Sequence, residues 1–581
     1  MLKLFKYLKP YWWQVIFLIL GIGGQTYLTL QLPALMANIV NDGIVAGNQN
    51  YIFTTGLKML AFALAASLFA VVAHFFSARV GAAFSRDLRA DFYQKVLSLS
   101  ITEIDDFSTA SLITRTTNDI GQVQQAIMMM LTMLLRAPMM GLGAVFQAYQ
   151  TAPDLTWTIA AGVGAIIFFS VLILGLSLPK FKIYQKLVDK TTLLARENLT
   201  GLRVIRAFNN EAHEQHKFDT ANKELTTTGL FIDRLMALQD PLIYLVFNGV
   251  TLLVVWLSLR QLETDLSYLG NMIAFTQYAT HVLVSFLILT MLFVVLPRAN
   301  VSASRLNEVM KLKPKIHWKP QTTGTPAKTP SVEFKNVNFA YAGAESNVLQ
   351  NISFKANAGE TTAFIGSTGS GKSTLISLVP RFYEATSGEI LIDGLDIKNY
   401  SRDDLMRRIG YVPQKGILFS GNVKDNIKFG VNDLSDKDLK KSARVAQAEN
   451  FIEKLEQKYD SHIAEKGTNV SGGQKQRLSI ARAIAKHPEI YIFDDSFSAL
   501  DMKTDKKLRE ALKPETKDSV VLIVAQRVST IKDADQIVVL DNGKIVGLGR
   551  HQALIKSCPV YCEIVKSQIS EAEFKKEVAH A

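Results

Sequence analysis

Cysteine is almost missing from this 581-residue chain. The two thiols, Cys558 and Cys562, lie four residues apart near the C-terminus. That spacing stacks them on one helix face without favouring a bridge, so a disulfide-stapled secreted fold is excluded and two reduced cytosolic thiols are expected. Charge is also sparse, at 20% of residues, and there are only 16 prolines; with 48% hydrophobic residues, these exclude a disordered or collagen-like chain. Acidic residues fall short of basic ones, 52 against 64, for a net charge of +12. The excess sits beside apolar segments, at Lys3, Lys6, Lys9, Arg79, Arg86, Lys180, Lys182 and Arg298, where positive-inside topology explains it better than nucleic-acid binding. The chain is rich in apolar sequence instead, with a mean hydropathy of +0.14, and it is too long for one core. A membrane protein with a soluble part is expected.

Six stretches, residues 15–37, 59–78, 127–148, 157–178, 242–262 and 271–296, are apolar enough to cross a bilayer core, which takes about 20 helical residues. Ahead of them, residues 1–13 alternate Leu and Phe with Lys and end in Tyr11, Trp12 and Trp13, as an interfacial helix anchored by an aromatic belt does. This places the N-terminus, and with six spans the C-terminus, in the cytoplasm of a multi-pass cell-membrane protein. The first stretch is too long for a secretory signal, and five more follow it. The connections at 41–51, 149–156 and 263–270 are short. Those between stretches two and three and between four and five are long, polar, basic and nearly free of Gly and Pro, and read as helices leaving the membrane, turning and returning. Arms of about 24 residues at 1.5 Å each project roughly 35 Å.

Residues 311–330 carry four prolines and several Thr and Lys, as a linker does. Beyond them, apolar runs at 361–365, 490–493, 519–525 and 536–540 alternate with helical patterns, and Asp541-Asn542-Gly543-Lys544 marks a tight hairpin. The expected plan is an α-helical six-span transmembrane domain over 1–310, the linker, and an α/β P-loop ATPase domain over 331–581.

Gly366-Ser367-Thr368-Gly369-Ser370-Gly371-Lys372-Ser373 fits G-x-x-x-x-G-K-S/T, directly after the run 361–365 and before a helical pattern from Thr374. The glycines let backbone N–H groups curl around phosphates, Lys372 reaches the β- and γ-phosphates, and the Ser373 hydroxyl is a ligand for Mg²⁺. The run Ile490-Tyr491-Ile492-Phe493 ends at Asp494, where the metal's carboxylate belongs. ATP with Mg²⁺ is the expected cofactor pair.

Val470-Ser471-Gly472-Gly473-Gln474, upstream of Asp494, resembles the signature of ATP-binding-cassette (ABC) proteins. The resemblance implies further nucleotide contacts at Tyr341, which would stack on adenine, and at Thr374. It makes Gln414 the glutamine that senses the γ-phosphate beside the metal, and Ser498-Ala499-Leu500-Asp501 a dimer-contacting loop. Glu465-Lys466-Gly467 resembles an exporter-specific segment, and residues 108–119 and 197–208 are similar to the two coupling-helix regions of six-span half-transporters. Because ATP in this family lies between one chain's phosphate loop and another chain's signature, a second half-transporter is implied as partner.

Two positions depart from the family pattern. Asp495 stands where a catalytic Glu polarises the attacking water, one methylene too short, and a misplacement of about 1 Å costs on the order of a hundredfold. Gln526, in Val524-Ala525-Gln526-Arg527, replaces the switch His with an amide that can hydrogen-bond but cannot become cationic. With the signature residues Ser471, Gly472, Gly473 and Gln474 intact, the pattern resembles heterodimeric exporters in which one site holds ATP and barely hydrolyses it. A different partner chain carrying Glu and His is therefore expected.

The apolar stretches hold scattered polar groups, among them His74, Arg136 and His281, and Arg136 follows Met128, Met129, Met130 and Met133 and precedes Met139 and Met140. That run either adapts to varied apolar ligands or fills space while Arg136 snorkels. The family resemblance implies export of amphipathic small molecules, with lipid or peptide export as the alternative and an ATP-gated channel or sensory subunit as a different class.

Overall fold

The computed structural model describes residues 1–262, 268–431 and 433–580; residues 263–267 of the connection expected at 263–270 lie outside them. The chain divides into two compact units: Met1–Leu97 with Thr109–Lys311, and Ser98–Ser108 with Leu312–Ala581.

In the first unit, six helical segments among the described residues are long and apolar enough to cross a membrane: Lys3–Val45, Gln49–Ser98, Thr109–Thr151, Pro153–Thr200, Glu211–Leu259 and Tyr268–Lys311. Their main helices are α1 (Trp12–Asn38), α2 (Gln49–Ser98), α4 (Leu135–Thr151), α5 (Thr156–Thr200), α7 (Glu211–Ala237) with its apolar continuation Gln239–Leu262, and α8 (Tyr268–Lys311); the short helices α3 (Ile101–Asp105), which belongs to the second unit, and α6 (Leu202–Ala207) lie at the two long turns of the chain. The segments outrun the apolar stretches because the long polar connections are themselves helical. α2 has 50 residues, about 75 Å at 1.5 Å per residue, against about 30 Å of hydrocarbon.

Small side chains set the closest approach inside this unit. Ala137, Ala144 and Ala148 of α4 are buried, and a Cβ added to Gly141 would sit 3.3 Å from the Cβ of Ser285 on α8, the kind of contact through which helices associate in lipid. Several buried polar groups find partners on other helices: the Tyr278 hydroxyl donates to the Leu30 carbonyl at 3.1 Å. Buried Arg115 donates to Glu308 at 2.8 Å, and Asp119 accepts from Ser302 at 2.9 Å. Leu64, Leu68, Val71, Leu172 and Trp256 remain exposed, an apolar surface of the kind that a bilayer or a second protein covers.

The second unit is α/β. A six-stranded sheet has the order β12-β11-β3-β10-β9-β6, and a four-stranded sheet the order β2-β1-β4-β5. The strands are β1 (Ser331–Phe339), β2 (Leu349–Asn357), β3 (Thr361–Gly366), β4 (Ser387–Ile392), β5 (Leu395–Asp396), β6 (Ile409–Val412), β7 (Gly421–Asn422), β8 (His462–Ile463), β9 (Ile490–Asp494), β10 (Val520–Val524), β11 (Gln536–Asp541) and β12 (Lys544–Gly549). β9 and β10 are buried at every position, as strands covered on both faces must be, and both read as unbroken apolar runs. The turn between β11 and β12 has positive φ at Asn542 and Gly543, the left-handed pair of a two-residue hairpin. Helices used below are α9 (Lys372–Leu378), α10 (Gly472–Ala485), α11 (Met502–Leu512), α12 (Pro559–Gln568) and α13 (Glu571–His580).

The segment that clusters with this second unit from between the second and third spans is Ser98–Ser108, which meets the expected 108–119 region only at Ser108. The reason is a local start signal. Ser100 and Glu103 form a capping box that begins α3, whereas 109–119 continue into the third span. Within the unit, the Tyr383 hydroxyl donates to Asp105 at 3.0 Å and the Lys315 N–H to Glu103 at 3.2 Å.

Candidate nucleotide site

Four parallel strands end side by side, and each delivers one part of the site. β3 pairs with β10 so that Phe364 lies opposite Val524, β10 pairs with β9 so that Val524 lies opposite Asp494, and β6 pairs with β9 so that Val412 lies opposite Phe493. The loop after β3 is the phosphate loop, Asp494 and Asp495 close β9, Gln526 follows β10, and Gln414 follows β6. Ligands of α/β sheets bind at such carboxyl ends.

The phosphate loop is tight by construction. A Cβ at Gly366 would fall 2.1 Å from the Leu540 carbonyl, so no other residue fits, and Gly371 enters α9 at φ +97. Lys372 folds back over the loop, donating to the carbonyls of Gly366 at 3.0 Å and Ser367 at 2.7 Å. Burial pushes its ammonium pKa down, while Asp495 and Asp494 oppose the shift. The Ser373 hydroxyl donates to Asp494 at 2.8 Å. Burial raises the Asp494 pKa, against the hydrogen bond from Ser373, and neighbouring Asp495 adds to the rise. A buried carboxylate and a hydroxyl are the hard oxygens that Mg²⁺ prefers.

Asp495 is the most constrained residue of the site. Its φ is +46, an uncommon conformation for a residue bearing a side chain, fixed by its N–H donating to the Val524 carbonyl at 3.0 Å. Its Oδ2 accepts from both Gln526 Nε2 at 2.8 Å and Gln414 Nε2 at 3.2 Å. The two residues that depart from the family pattern thus touch each other. Gln414 is brought to Asp495, not to the Ser373–Asp494 pair.

Tyr341 stands half-exposed at the edge of the unit, its hydroxyl 2.9 Å from that of Thr374, and it packs edge-on to Phe339 and Tyr383. The signature forms the N-terminus of α10: the Gln474 N–H donates to Ser471 Oγ at 3.3 Å, and the Ser471 N–H to Gln474 Oε1 at 2.9 Å. Ser471 and Gly472 are exposed, and among the described residues no hydrogen bond joins this turn to the phosphate loop. Ser498 Oγ donates to the Asp495 carbonyl at 2.7 Å, and Asp501 caps α11 through the Thr504 N–H at 2.9 Å. Sequence reasoning missed Tyr411, whose hydroxyl favours the charged form of the Asp494 carboxyl and so opposes the rise that burial causes, and Gln568, which binds the main chain of the Gln526 loop. Tyr411 lies in β6 three residues before Gln414, a signal that was there to use; Gln568 lies on a distant helix with no local mark.

Residues 349–498 match the ABC transporter family model and residues 15–286 that of the ABC transporter transmembrane region. An uncharacterized ABC transporter ATP-binding protein of Mycobacterium tuberculosis is 37% identical over 97% of this chain and 97% of its own length. This chain belongs to the ABC transporters. Among other relatives, an ATP-dependent lipid A-core flippase of Syntrophus aciditrophicus is 32% identical over 86% of this chain and 83% of its own. A bacterial Atm1-family ABC exporter with ATP bound shares the fold at a TM-score of 0.80 and 23% identity, over 96% of this chain and 98% of that one. The chain is accordingly an ABC exporter half-transporter: a membrane-spanning transport ATPase with one ATP-binding unit.

Proposed function

We propose that this ABC half-transporter exports amphipathic small molecules as one half of a heterodimer, and that its own site holds ATP and hydrolyses it slowly. The observation that carries the reading is the Asp495 carboxylate, one methylene short and already accepting two amide N–H groups. A general base must reach the water it polarises and be free to take its proton. Asp495 is drawn back, and both of its amide partners lack a titrating nitrogen. Ser373 and Asp494 would hold Mg²⁺, which when bound offsets charge on the β- and γ-phosphates; Lys372 reaches the same oxygens from the loop, and Tyr341 offers the adenine an edge ring.

A second chain completes the machine in this reading. Ser471 and Gly472 are presented on an exposed helix start, ready for another chain's nucleotide, and the turn around α6 is bare: Leu199 just before it is 76% and Phe208 just after it 80% exposed, too apolar to remain in water. The partner would carry Glu and His at the positions of Asp495 and Gln526. ATP binding would close the two cassettes, the arms ending in α3 and α6 would carry closure to the spans, and hydrolysis at the partner's site would reset the dimer. Both termini would lie in the cytoplasm. The test is ATPase activity of the purified chain alone and with its partner: slow turnover alone and fast turnover together are expected, and fast turnover by this chain alone overturns the reading.

One observation favours a second substrate class, lipids or other amphiphiles with an anionic headgroup. The six apolar stretches contain four basic side chains, His74, Arg136, Arg260 and His281, and no carboxylate. Arg136 has no hydrogen bond or ion pair among the described residues. An unpaired intramembrane guanidinium calls for an anion. In proteoliposomes, Arg136→Gln would then reduce transport of labelled anionic lipid and spare cationic dyes; an equal loss of both returns the substrate to the multidrug class.

A further inference from the structure

Gln526 is placed by a loop, and that loop is gripped from outside the site. At the end of α12, the Gln568 side chain uses both ends of its amide: Nε2 donates to the Gln526 carbonyl at 2.7 Å, and Oε1 accepts from the Val528 N–H at 2.8 Å. The two bonds straddle Arg527 and pin the turn between β10 and the short helix Val528–Ile531. That turn carries the Gln526 side chain to Asp495 Oδ2. A two-point amide clamp fixes orientation as well as distance, which a single bond does not.

The anchor of the clamp is itself held. Tyr561 and Val565 of α12 are buried in the core of the unit, and the Tyr561 hydroxyl lies 2.7 Å from Nδ1 of buried His551. Just past Gln568, Ser570 and Glu573 cap α13 through the Glu573 N–H to Ser570 Oγ at 3.3 Å, and Phe574 of α13 packs on the same core. The last turn of α12 is therefore rigid, and Gln568 extends from it to the loop that bears one of the two altered residues.

We propose that Gln568 is a positioning residue of the nucleotide site: through the Gln526 main chain it holds the Gln526 amide on Asp495, and so sets how long the γ-phosphate is retained. This rests on the reading of Gln526 as the residue that stands at the γ-phosphate, and it extends the site to the C-terminal helices. A group that acts only there distinguishes ATP from ADP. General loosening of the unit does not.

The experiment uses the full chain in lipid nanodiscs with Mg²⁺ and the fluorescent probes mant-ATP and mant-ADP. Gln568→Ala is expected to speed mant-ATP release about fivefold, the scale of one to two exposed hydrogen bonds, and to leave mant-ADP release within twofold. Gln568→Glu keeps the acceptor for Val528, loses the donor to Gln526, and should fall between. The double variant Gln526→Ala/Gln568→Ala should match Gln526→Ala alone, because one residue acts through the other. Unchanged mant-ATP release, equal acceleration of both probes, or additive effects in the double variant each overturn the proposal. Rapid hydrolysis by the unaltered chain would instead overturn the slow-site reading, and the non-additivity test would still stand.

Discussion

The signature turn and the hydrolytic edge belong to the same unit and obey opposite constraints. Ser471, Gly472, Gly473 and Gln474 follow the family pattern, are exposed or half-exposed, and among the described residues hydrogen-bond only within their own helix. Asp495 departs from the pattern, is 6% exposed, and bonds to residues after two other strands. In the proposed dimer the signature surface would serve another chain's nucleotide. A buried carboxylate serves only its own site, and there the shorter side chain and the amide fit each other. Asp495 and Gln526, the two departures from the pattern, are therefore one coupled pair with a direct 2.8 Å bond.

The largest effect should come from reversing that change. Asp495→Glu together with Gln526→His is expected to raise turnover of this chain's own site by about a hundredfold, the scale of restoring a carboxylate displaced by about 1 Å. Each single change should give much less than half of that gain on a logarithmic scale, since Glu beside Gln526, or His beside Asp495, leaves one partner misplaced. Single-turnover hydrolysis measures it, and a double variant no faster than the parent breaks the contrast between the two regions. A smaller effect is expected at the signature. Nothing lies within 4 Å of a Cβ built on Gly472, so Gly472→Ala should fold and bind ATP at its own phosphate loop normally. It should lower turnover of the assembled dimer by about tenfold, the scale of one hydrogen bond to a charged group. Loss of the chain's own mant-ATP binding in that variant would show that the turn does not serve the partner alone.

Much of this was readable in the amino acids alone, and the limits have physical causes. The phosphate loop, Asp494 and the signature are continuous in sequence, because a loop that wraps phosphate must be built from neighbours; β9 and β10 announce themselves as apolar runs. The six spans were equally plain, but their ends were not, because polar helix outside the membrane carries no apolar stripe to mark it. The first long turn was misplaced for want of the Ser100–Glu103 capping box, a local signal that was present. That Gln526 and Asp495 touch follows only from the pairing of β9 with β10, a contact between residues 31 apart. Gln568 is 42 residues from Gln526 on a helix of ordinary composition, and nothing short of the fold reveals it.

The smallest predicted effect sharpens the contrast from the metal side. Burial raises the Asp494 pKa above its ordinary value of 3.8, so the folded chain binds that proton more tightly than the unfolded one. Its contribution to stability therefore falls as pH rises from the unfolded value through the folded one, and above both the charged carboxylate is a net burden on the nucleotide-free unit. Asp494→Asn removes the charge and keeps an oxygen for the Ser373 hydroxyl. Near neutral pH and without nucleotide, the ATP-binding unit of the variant should melt about 2 °C above that of the parent, the response of a domain of about 250 residues to roughly 1 kcal/mol, and the gap should close as pH approaches 3.8. Addition of Mg²⁺ and ATP should reverse the order, because the parent gains a cation across Asp494 and Ser373 and the variant does not. A parent that melts above Asp494→Asn without nucleotide would mean that the Ser373 and Lys372 contacts already compensate the buried charge, and that this end of the site, like the signature, is preorganised before its ligand arrives.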